Sequence, residues 1–329
     1  MEEMSSKIPG RIQNSKILLG SMLQNWDRAV VPAIFFAMVT IFYALDSKYL
    51  STTNIINVLN QVSILAIVTV GASIVIFTGG FDLSAGSVVA ISAVVGAVIV
   101  EQTGHLALAI SSGVLTGATV GAANGFFVGY LGVSPLIVTL GSMNIGRGLA
   151  LIISAGTAIY SFPVSYTDFG TSRVFGIPSL AVVAFILFMI MALLLRHTPF
   201  GMYVYAVGGN ARAAELSGIS IQQVRMAAFT MSGASCGLAG MMLAARTGGG
   251  EPTAGFLYEL EAIAAVILGG AALQGGEGKL WRSMMGILLL AALGNGLNIV
   301  GVHPHWKGVA IGAIVVVAAS LDVIKRRLR

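Results

Sequence analysis

The sequence predicts an all-α membrane protein, and three observations carry this prediction. Of the 329 residues, 56% are hydrophobic and only 9% are charged, whereas soluble domains carry roughly a quarter charged residues. The mean hydropathy is +0.90. The apolar residues form runs of about 20, as in membrane-spanning helices, and not the alternating ten-residue segments of outer-membrane barrels. A chain this apolar could not cover its own surface in water.

About ten apolar runs are candidate spans. In chain order they are Ala29–Leu45, Val62–Thr78, Leu83–Val100, Leu106–Leu131, Pro135–Ser154, Ile177–Leu195, Met226–Ala245, Leu257–Leu273, Trp281–Val302 and Gly308–Leu321. The 42 glycines suit a bundle of such helices, because small residues let spanning helices approach closely.

The basic residues predict how the spans are oriented. With a cytoplasmic N-terminus, four Lys and Arg residues lie outside, Arg147 lies within the fifth span, and thirteen lie inside: Lys7, Arg11, Lys16, Arg28, Arg196, Arg212, Arg225, Lys279, Arg282, Lys325, Arg326, Arg327 and Arg329. This positive-inside pattern requires an even number of spans and two cytoplasmic termini. We therefore expect a cytoplasmic segment over residues 1–28, a transmembrane domain over 29–325 and a cytoplasmic tail over 326–329. The basic residues do not cluster on one soluble face, so nucleic-acid binding is not expected.

Two connections are longer than most. The external one, Ser154–Gly176, is polar and aromatic and suits contact with an external partner. The cytoplasmic one covers residues 196–225. Within it, Ala211–Ser217 contains good helix formers and ends before Gly218, a suitable C-cap. We expect a short surface helix with a function here; the alternative is a plain connector.

An internal duplication is visible in two glycine-rich segments. Thr78–Gly86 reads TGGFDLSAG and Thr247–Gly255 reads TGGGEPTAG, with five of nine positions identical. Two further matches follow in the same order, Ala90–Val95 with Ala262–Ile267 and Asn124-Gly125 with Asn295-Gly296. The repeats cover about 29–155 and 177–321. Each holds five spans, so the two must be inverted, with the first segment at the cytoplasmic end of its span and the second at the outer end. Inverted repeats are typical of alternating access.

The structural residues expected in these two segments are Gly79, Gly80, Asp82 and Ser84 in the first, and Gly248, Gly249 and Glu251 in the second. We interpret Asp82 as a helix-end residue, since a carboxylate before a new helix often caps it. A ligand-binding role is the alternative.

Several motifs together resemble the permease subunits of ribose- and galactose-type sugar ABC importers. They are GGFDLSAGS at Gly79–Ser87, GGNARAAELSGI at Gly208–Ile219, the run Pro252–Gly270, and Asn295–Val302. The resemblance extends from about Ala29 to Asp322.

This resemblance implies an inner-membrane subunit that works with a separate ATPase, which would bind ATP and Mg. It also implies a periplasmic sugar-binding protein and a second permease subunit, either a copy or a paralogue. The Gly208–Ile219 segment would be the helix that docks into the ATPase. Its coupling residues would be Gly208, Gly209, Asn210, Ala213, Ala214, Glu215, Ser217 and Gly218.

The sequence itself shows no catalytic apparatus. It has no G-x-x-x-x-G-K-[ST] loop for nucleotide phosphates and no H-E-x-x-H motif. The four histidines lack metal-site spacing, and we interpret His303 and His305 as solvated surface. Cys236 is the only cysteine, which excludes a disulfide framework. We expect a transport subunit that is not an enzyme and carries no cofactor or metal.

Polar residues within spans are the candidates for the pathway, because their desolvation is expensive. Ser142, Asn144 and Arg147 lie in the fifth span, and Asn144 and Arg147 are one helical turn apart. Their side chains can form hydrogen bonds with a sugar. Alternatively, Arg147 neutralises a structural partner or snorkels to the interface. Glu259 and Glu261 are expected to be hydrated near the outer end of the eighth span.

The sequence thus favours the permease subunit of a monosaccharide importer. A nucleoside, a branched-chain amino acid or a signalling sugar on the same scaffold is an alternative. An ion-coupled secondary transporter is another, and it would require a buried acidic or histidine relay.

Overall fold

The computed structural model describes residues 32–303 and, beyond them, residues 306, 308–310, 312–314, 316 and 320. The helices in 32–303 are α1 (Pro32–Leu45), α2 (Thr52–Phe77), α3 (Ala85–Thr103), α4 (Leu106–Gly129), α5 (Pro135–Ile153), α6 (Val164–Thr171), α7 (Ser179–His197), α8 (Pro199–Gly209), α9 (Ala211–Leu216), α10 (Ile221–Thr247), α11 (Tyr258–Leu268) and α12 (Leu280–Ile299). A 3₁₀ turn covers Ser47–Leu50. The strands β1 (Arg173–Val174) and β2 (Ile177–Pro178) form an antiparallel hairpin.

Seven helices in the described part of the chain are long and apolar enough to cross a membrane, namely α2, α3, α4, α5, α7, α10 and α12. The predicted all-α membrane fold is therefore confirmed at this level. The helix α11 has 11 residues, roughly 16 Å at 1.5 Å per residue, which is about half of the hydrocarbon core. It is shorter than the predicted span Leu257–Leu273 because Leu257 has a positive φ of 67° and the helix ends at Gly269.

Three predicted regions lie wholly or partly outside the described residues. These are the N-terminal segment over 1–28 with the start of the first span, the tail over 326–329, and much of the tenth span, Gly308–Leu321. The described residues between 306 and 320 are helical. His305 is also outside the described part.

The helix boundaries follow from local sequence. The Ser51 hydroxyl accepts a hydrogen bond from the Asn54 N–H at the start of α2 (3.3 Å), and Ser220 does the same for Gln223 at the start of α10 (3.4 Å). Pro135 occupies the first turn of α5, where its missing N–H costs nothing. Gly104 ends α3 with a φ of 68°, a conformation that favours glycine.

The contact of α4 with α10 is a seam of glycines. Gly117 and Gly121 of α4 lie against the backbone of α10, and a methyl group on either would overlap a carbonyl oxygen of that helix. Gly233 of α10 meets the Gly117 carbonyl in the same way. Such small residues at four-residue spacing let two apolar helices pack backbone to backbone.

The remaining helices surround α2 and α10, which pack against each other. On α10 lie α3 and α4, and on α2 lie α11 and α12. Helix α2 is buried along most of its length, with Ile64, Ile67 and Phe77 fully buried. Helix α5 contacts α3 and α4 through one narrow face, and the rest of it is exposed.

The long connection Ser154–Gly176 is ordered by contacts with α10. It contains α6, where the Tyr166 hydroxyl donates to the Met241 carbonyl (2.8 Å). Burial raises the pKa of Tyr166 above its ordinary value, so its hydroxyl remains a donor at neutral pH. Ile159 and Gly250 exchange two backbone hydrogen bonds, of 3.1 and 2.9 Å.

Candidate functional site: the junction of two glycine-rich segments

The first glycine-rich segment, Thr78–Gly86, connects α2 to α3 around a buried carboxylate. Asp82 is 3% exposed, and its Oδ1 accepts hydrogen bonds from the Ser84 N–H (3.1 Å) and the Ser84 hydroxyl (2.5 Å). The Ser232 hydroxyl of α10 donates to Oδ2 at 2.8 Å. These bonds offset the desolvation of a charge and support the interpretation of Asp82 as a helix-end residue.

A hydrogen-bonded chain leads from this carboxylate to α5. The Asn124 amide of α4 donates to the Ser84 hydroxyl at 3.0 Å. Ser142 of α5, in turn, donates its hydroxyl to the Asn124 side-chain oxygen. Ser142, a predicted pathway residue, is therefore part of a polar network that links α5 to the first segment.

The turn that begins the first segment is tightly packed. Gly79 has a φ of 80°, and a methyl group on it would lie 2.8 Å from the Gln274 carbonyl oxygen. Gly80 donates its N–H to the Val75 carbonyl (3.0 Å) and packs against Phe229 of α10. The positive φ and the nearby backbone thus require glycine at Gly79, whereas a methyl group on Gly80 would meet only side-chain atoms, the nearest at 3.1 Å.

The second segment, Thr247–Gly255, repeats the local hydrogen bond of the first. Gly248 ends α10 with a φ of 78°, and Gly249 packs against Tyr160 of the Ser154–Gly176 connection. The Thr253 hydroxyl donates to Glu251 Oε1 at 2.9 Å, as Ser84 does to Asp82. Glu251 is exposed, in contrast to Asp82.

The two segments meet at their last residues. A methyl group on Gly86 would overlap the Gly255 carbonyl oxygen, and one on Gly255 would lie 2.7 Å from the Gly86 carbonyl oxygen. We call this contact, with the residues around it on α3, α5 and α11, the junction. Only glycine permits two backbones to approach so closely.

Arg147 reaches the junction from α5. Its Nη1 atom donates to the carbonyl oxygens of Pro252 (3.1 Å) and Ala254 (2.7 Å), and the side chain is part-buried. Asn144, one turn earlier, is exposed, and its side-chain amide donates a hydrogen bond to the Leu140 carbonyl at 2.9 Å. The structure therefore separates these two residues, with Arg147 directed to the second segment and Asn144 to the outer surface of α5.

The expectation that Glu259 and Glu261 are hydrated is wrong. They are only 9% and 7% exposed, because α11 begins inside the bundle, at the junction. The Glu259 Oε2 atom lies against Gly86. A carboxylate in the first turn of one helix and beside the first turn of another is stabilised by both helix dipoles.

The short helix predicted within Ala211–Ser217 is present as α9, Ala211–Leu216. The Asn210 side chain accepts from the Ala213 N–H (3.0 Å) at its start. At its end, Ser217 is the C-cap and Gly218 has a φ of 83°. The Ile219 N–H donates to the Ala214 carbonyl at 3.0 Å, which completes a Schellman motif.

One side of α9 is buried and the other is exposed. Ala214 is buried, whereas Ala213, Glu215 and Ser217 are exposed. Glu215 pairs with Arg212 at 2.6 Å on this exposed side. A helix with a small, exposed face of this kind is available to a partner.

The glycines before α9 fix it to the end of α2. Gly208 packs against the Phe77 carbonyl and the backbone of Gly276, and Gly209 touches Gly276. The Gly276 N–H donates to the same Phe77 carbonyl at 3.0 Å. Because Phe77 directly precedes the first segment, these backbone contacts connect α9 to the first segment.

Metal chemistry finds no support in the described residues, where no group of three or more His, Cys, Asp or Glu side chains could hold an ion. Cys236 is buried as a free thiol.

Sequence reasoning did not find Ser232 or the part played by Asn124 and Glu259. Asn124 belongs to an Asn-Gly pair that recurs at Asn295, and this recurrence was the available signal. Ser232 gave none, since a serine in a spanning helix most often bonds to its own backbone.

The fold and the site together define a multi-pass membrane protein whose polar groups meet inside the helix bundle. The chain belongs to the family described as branched-chain amino acid transport system / permease component, which it matches over residues 54–319.

Its curated relatives cover nearly its whole length. It is 38% identical to the ribose import permease protein RbsC of Bacillus subtilis, over 87% of this chain and 90% of the relative. Identity is 35% to the D-allose transport system permease protein AlsC of Escherichia coli, over 90% and 92% of the two chains. It is 33% to the L-arabinose transport system permease protein AraH of the same species, over 96% and 95%. No solved structure matches the chain.

The resemblance to sugar ABC permeases is thereby confirmed. The chain is a permease subunit of the ABC importer class, a transport component of the inner membrane and not an enzyme.

Proposed function

We propose that this chain forms the membrane pathway of an ATP-driven importer for a monosaccharide or a similar small polyol. The observation that carries the proposal is the identity of 33–38% with ribose, allose and arabinose permeases over most of the chain. The family description mentions branched-chain amino acids, but the relatives that match nearly the full length carry sugar names. An ion-coupled mechanism is not favoured, because the relatives that match most of the chain are permease subunits of sugar ABC importers.

The architecture we propose has ten spans in two inverted five-helix repeats, with both termini in the cytoplasm. The packing supports it: α3 and α4 lie on α10, as their counterparts α11 and α12 lie on α2. The equivalent glycines Gly86 and Gly255 touch each other, as residues near a pseudo-two-fold axis would. The same side-chain hydrogen bond occurs in both glycine-rich segments.

The pathway we propose runs along α5, at the interface with a second permease subunit, either a copy or a paralogue. Ser142, Asn144 and Arg147 are the candidate contacts. The exposed face of α5 carries Asn144 among apolar residues and glycines, and an amide on an otherwise apolar membrane face calls for a partner. Arg147 is part-buried beside this face.

The coupling site we propose is the exposed side of α9 with its flanking glycines. A separate ATPase, which binds ATP and Mg, would take this helix into a groove and move it as a rigid body. Outside the membrane, a sugar-binding protein would dock on Ser154–Gly176, where Tyr160 and Phe175 are exposed.

Reconstitution tests the proposed function. The chain, its ATPase and its sugar-binding protein would be placed in liposomes with radiolabelled monosaccharides. We expect uptake that requires both ATP and the binding protein and disappears when the catalytic glutamate of the ATPase is replaced. ATP-independent uptake driven by a proton or sodium gradient would support the secondary transporter instead.

The coupling site has its own test in Glu215→Arg. The change breaks the pair with Arg212 and places two like charges on the exposed side of α9. We expect at least a fivefold loss of ATPase copurification. Arg173→Glu in the external hairpin is the matched charge reversal and should retain the ATPase. Equal retention by both variants would refute this docking site.

A further inference from the structure

Arg147 and Glu259 are two charged side chains that flank the junction. Arg147 on α5 donates to the carbonyls of Pro252 and Ala254, just before Gly255. Glu259, in the first turn of α11, lies against Gly86 on the other side of the same contact. One charge therefore comes from each half of the chain.

The Glu259 carboxylate is buried between the first turns of α3 and α11. It is 9% exposed, and its Oε2 atom has no hydrogen-bond partner among the described residues. Helix dipoles stabilise a carboxylate placed there, and a nearby opposite charge adds to that stabilisation. The positive charge of Arg147 acts on Glu259, although the two form no direct ion pair in the described part of the chain.

At this level α5 contacts α3 through one narrow face. Gly146, next to Arg147, is buried against Ser87 of α3. A methyl group on Gly146 would lie 2.9 Å from the Ser87 Oγ atom. Ser142 is bonded to Asn124 one turn earlier. Much of the rest of α5 is exposed. Ala150, three residues after Arg147, is buried against α3 and Ala254, and the Arg147 guanidinium adds the polar contact that joins α5 to the second segment.

We propose that Glu259 is a positioning residue for transport, whose buried carboxylate holds the Arg147 guanidinium, and with it α5, at the junction. This inference rests on the proposed function, in which α5 lines the pathway. Without the carboxylate, Arg147 is a half-buried cation with no other charge acting on it from the described part of the chain. It then leaves the loop carbonyls for water, and α5 loses the position in which sugar passes.

A double-mutant cycle tests the inference in the reconstituted importer. The variants are Glu259→Gln, Arg147→Gln and the double variant, and the readouts are sugar molecules imported per ATP and copurification of the ATPase. We expect Glu259→Gln to lower sugar per ATP at least tenfold with full copurification. The double variant should be no worse than Arg147→Gln alone, because residues that act as one unit are not additive.

Glu261→Gln is the matched control, since Glu261 is a second buried carboxylate in the same helical turn. The drop in sugar imported per ATP in Glu261→Gln measures the effect of removing a buried carboxylate to which the proposal assigns no role in holding Arg147. When Glu261→Gln is combined with Arg147→Gln, the fold losses of the two single variants should multiply. If Glu259→Gln is no worse than Glu261→Gln, or if its effect also multiplies with that of Arg147→Gln, the inference is wrong.

Glu259→Asp covers the case in which Glu259→Gln does not assemble. The aspartate keeps the charge, and we expect it to restore assembly and at least a third of the sugar per ATP. Equal failure of Asp and Gln would show that packing, and not charge, matters at this position. Absence of ATP-dependent sugar uptake in the wild-type complex would instead refute the proposed function.

Discussion

The two glycine-rich segments share a pattern of sequence and one local hydrogen bond but differ in their surroundings. In Thr78–Gly86 the carboxylate of Asp82 is buried and bonded to α10 through Ser232. In Thr247–Gly255 the carboxylate of Glu251 is exposed and bonded only within its own segment, to Thr253. The sequence pattern therefore specifies the turn between two helices. The helices packed against the turn determine whether its carboxylate is buried or exposed.

The equivalent asparagines differ in the same way. Asn124 bonds to Ser84 and Ser142 and so joins the first segment to α5. Asn295 instead exchanges two hydrogen bonds of 2.8 Å with Asn54 of α2. The first half of the chain thus uses its asparagine to join the first segment to α5, whereas the second half uses its asparagine to hold α12 to α2.

The largest effect is expected where the two segments touch. Gly86→Ala would place a methyl group on the Gly255 carbonyl and on Glu259 Oε2, and overpacking of backbone against backbone costs about 3 kcal/mol. Gly148→Ala, on α5 with open space around it, should change the free energy of unfolding by less than about 0.5 kcal/mol. Unfolding in mixed micelles of increasing SDS content measures both. Equal stability of the two variants would mean that the segments do not touch.

A smaller effect is expected from the paired carboxylates. Asp82→Ala leaves the buried hydroxyls of Ser84 and Ser232 without their acceptor and should cost about 2 kcal/mol. Glu251→Ala removes an exposed group and should cost less than about 0.5 kcal/mol. The same SDS titration compares them, and a larger cost for Glu251→Ala would reverse our account of the two environments.

The smallest effect is expected from the hydroxyls that bond to these carboxylates. Ser84→Ala removes a donor to Asp82 and the acceptor of the Asn124 amide, for a cost of about 1 kcal/mol. Thr253→Ala breaks one bond to exposed Glu251 and should be close to neutral. Hydrogen exchange should rise at the start of α3 in Ser84→Ala and stay unchanged at the start of α11 in Thr253→Ala. Faster exchange in both would show that the local bond alone holds the helix start.

The sequence predicted the features that depend on residue type and spacing. Glycines at Gly79 and Gly248, the short helix that ends at Gly218 and the apolar spans are of this kind. The acceptors of Arg147 are backbone carbonyls, which any residue supplies, so residue type could not reveal them. The burial of Glu259 was missed because the length of its apolar run predicted a span ending at the membrane surface, whereas α11 begins inside the bundle.

The orientation of the two repeats is the central claim, and cysteine accessibility at equivalent positions tests it most directly. Ser134 follows α4 and His303 follows α12, within the matching sequences Gly132–Pro135 and Gly301–Pro304, and both residues are exposed. In a Cys236→Ala background, each would be replaced by cysteine and treated with a membrane-impermeant maleimide. We predict that His303→Cys is labelled in intact cells and Ser134→Cys only in inverted vesicles. Labelling of both from the same side would contradict inverted repeats.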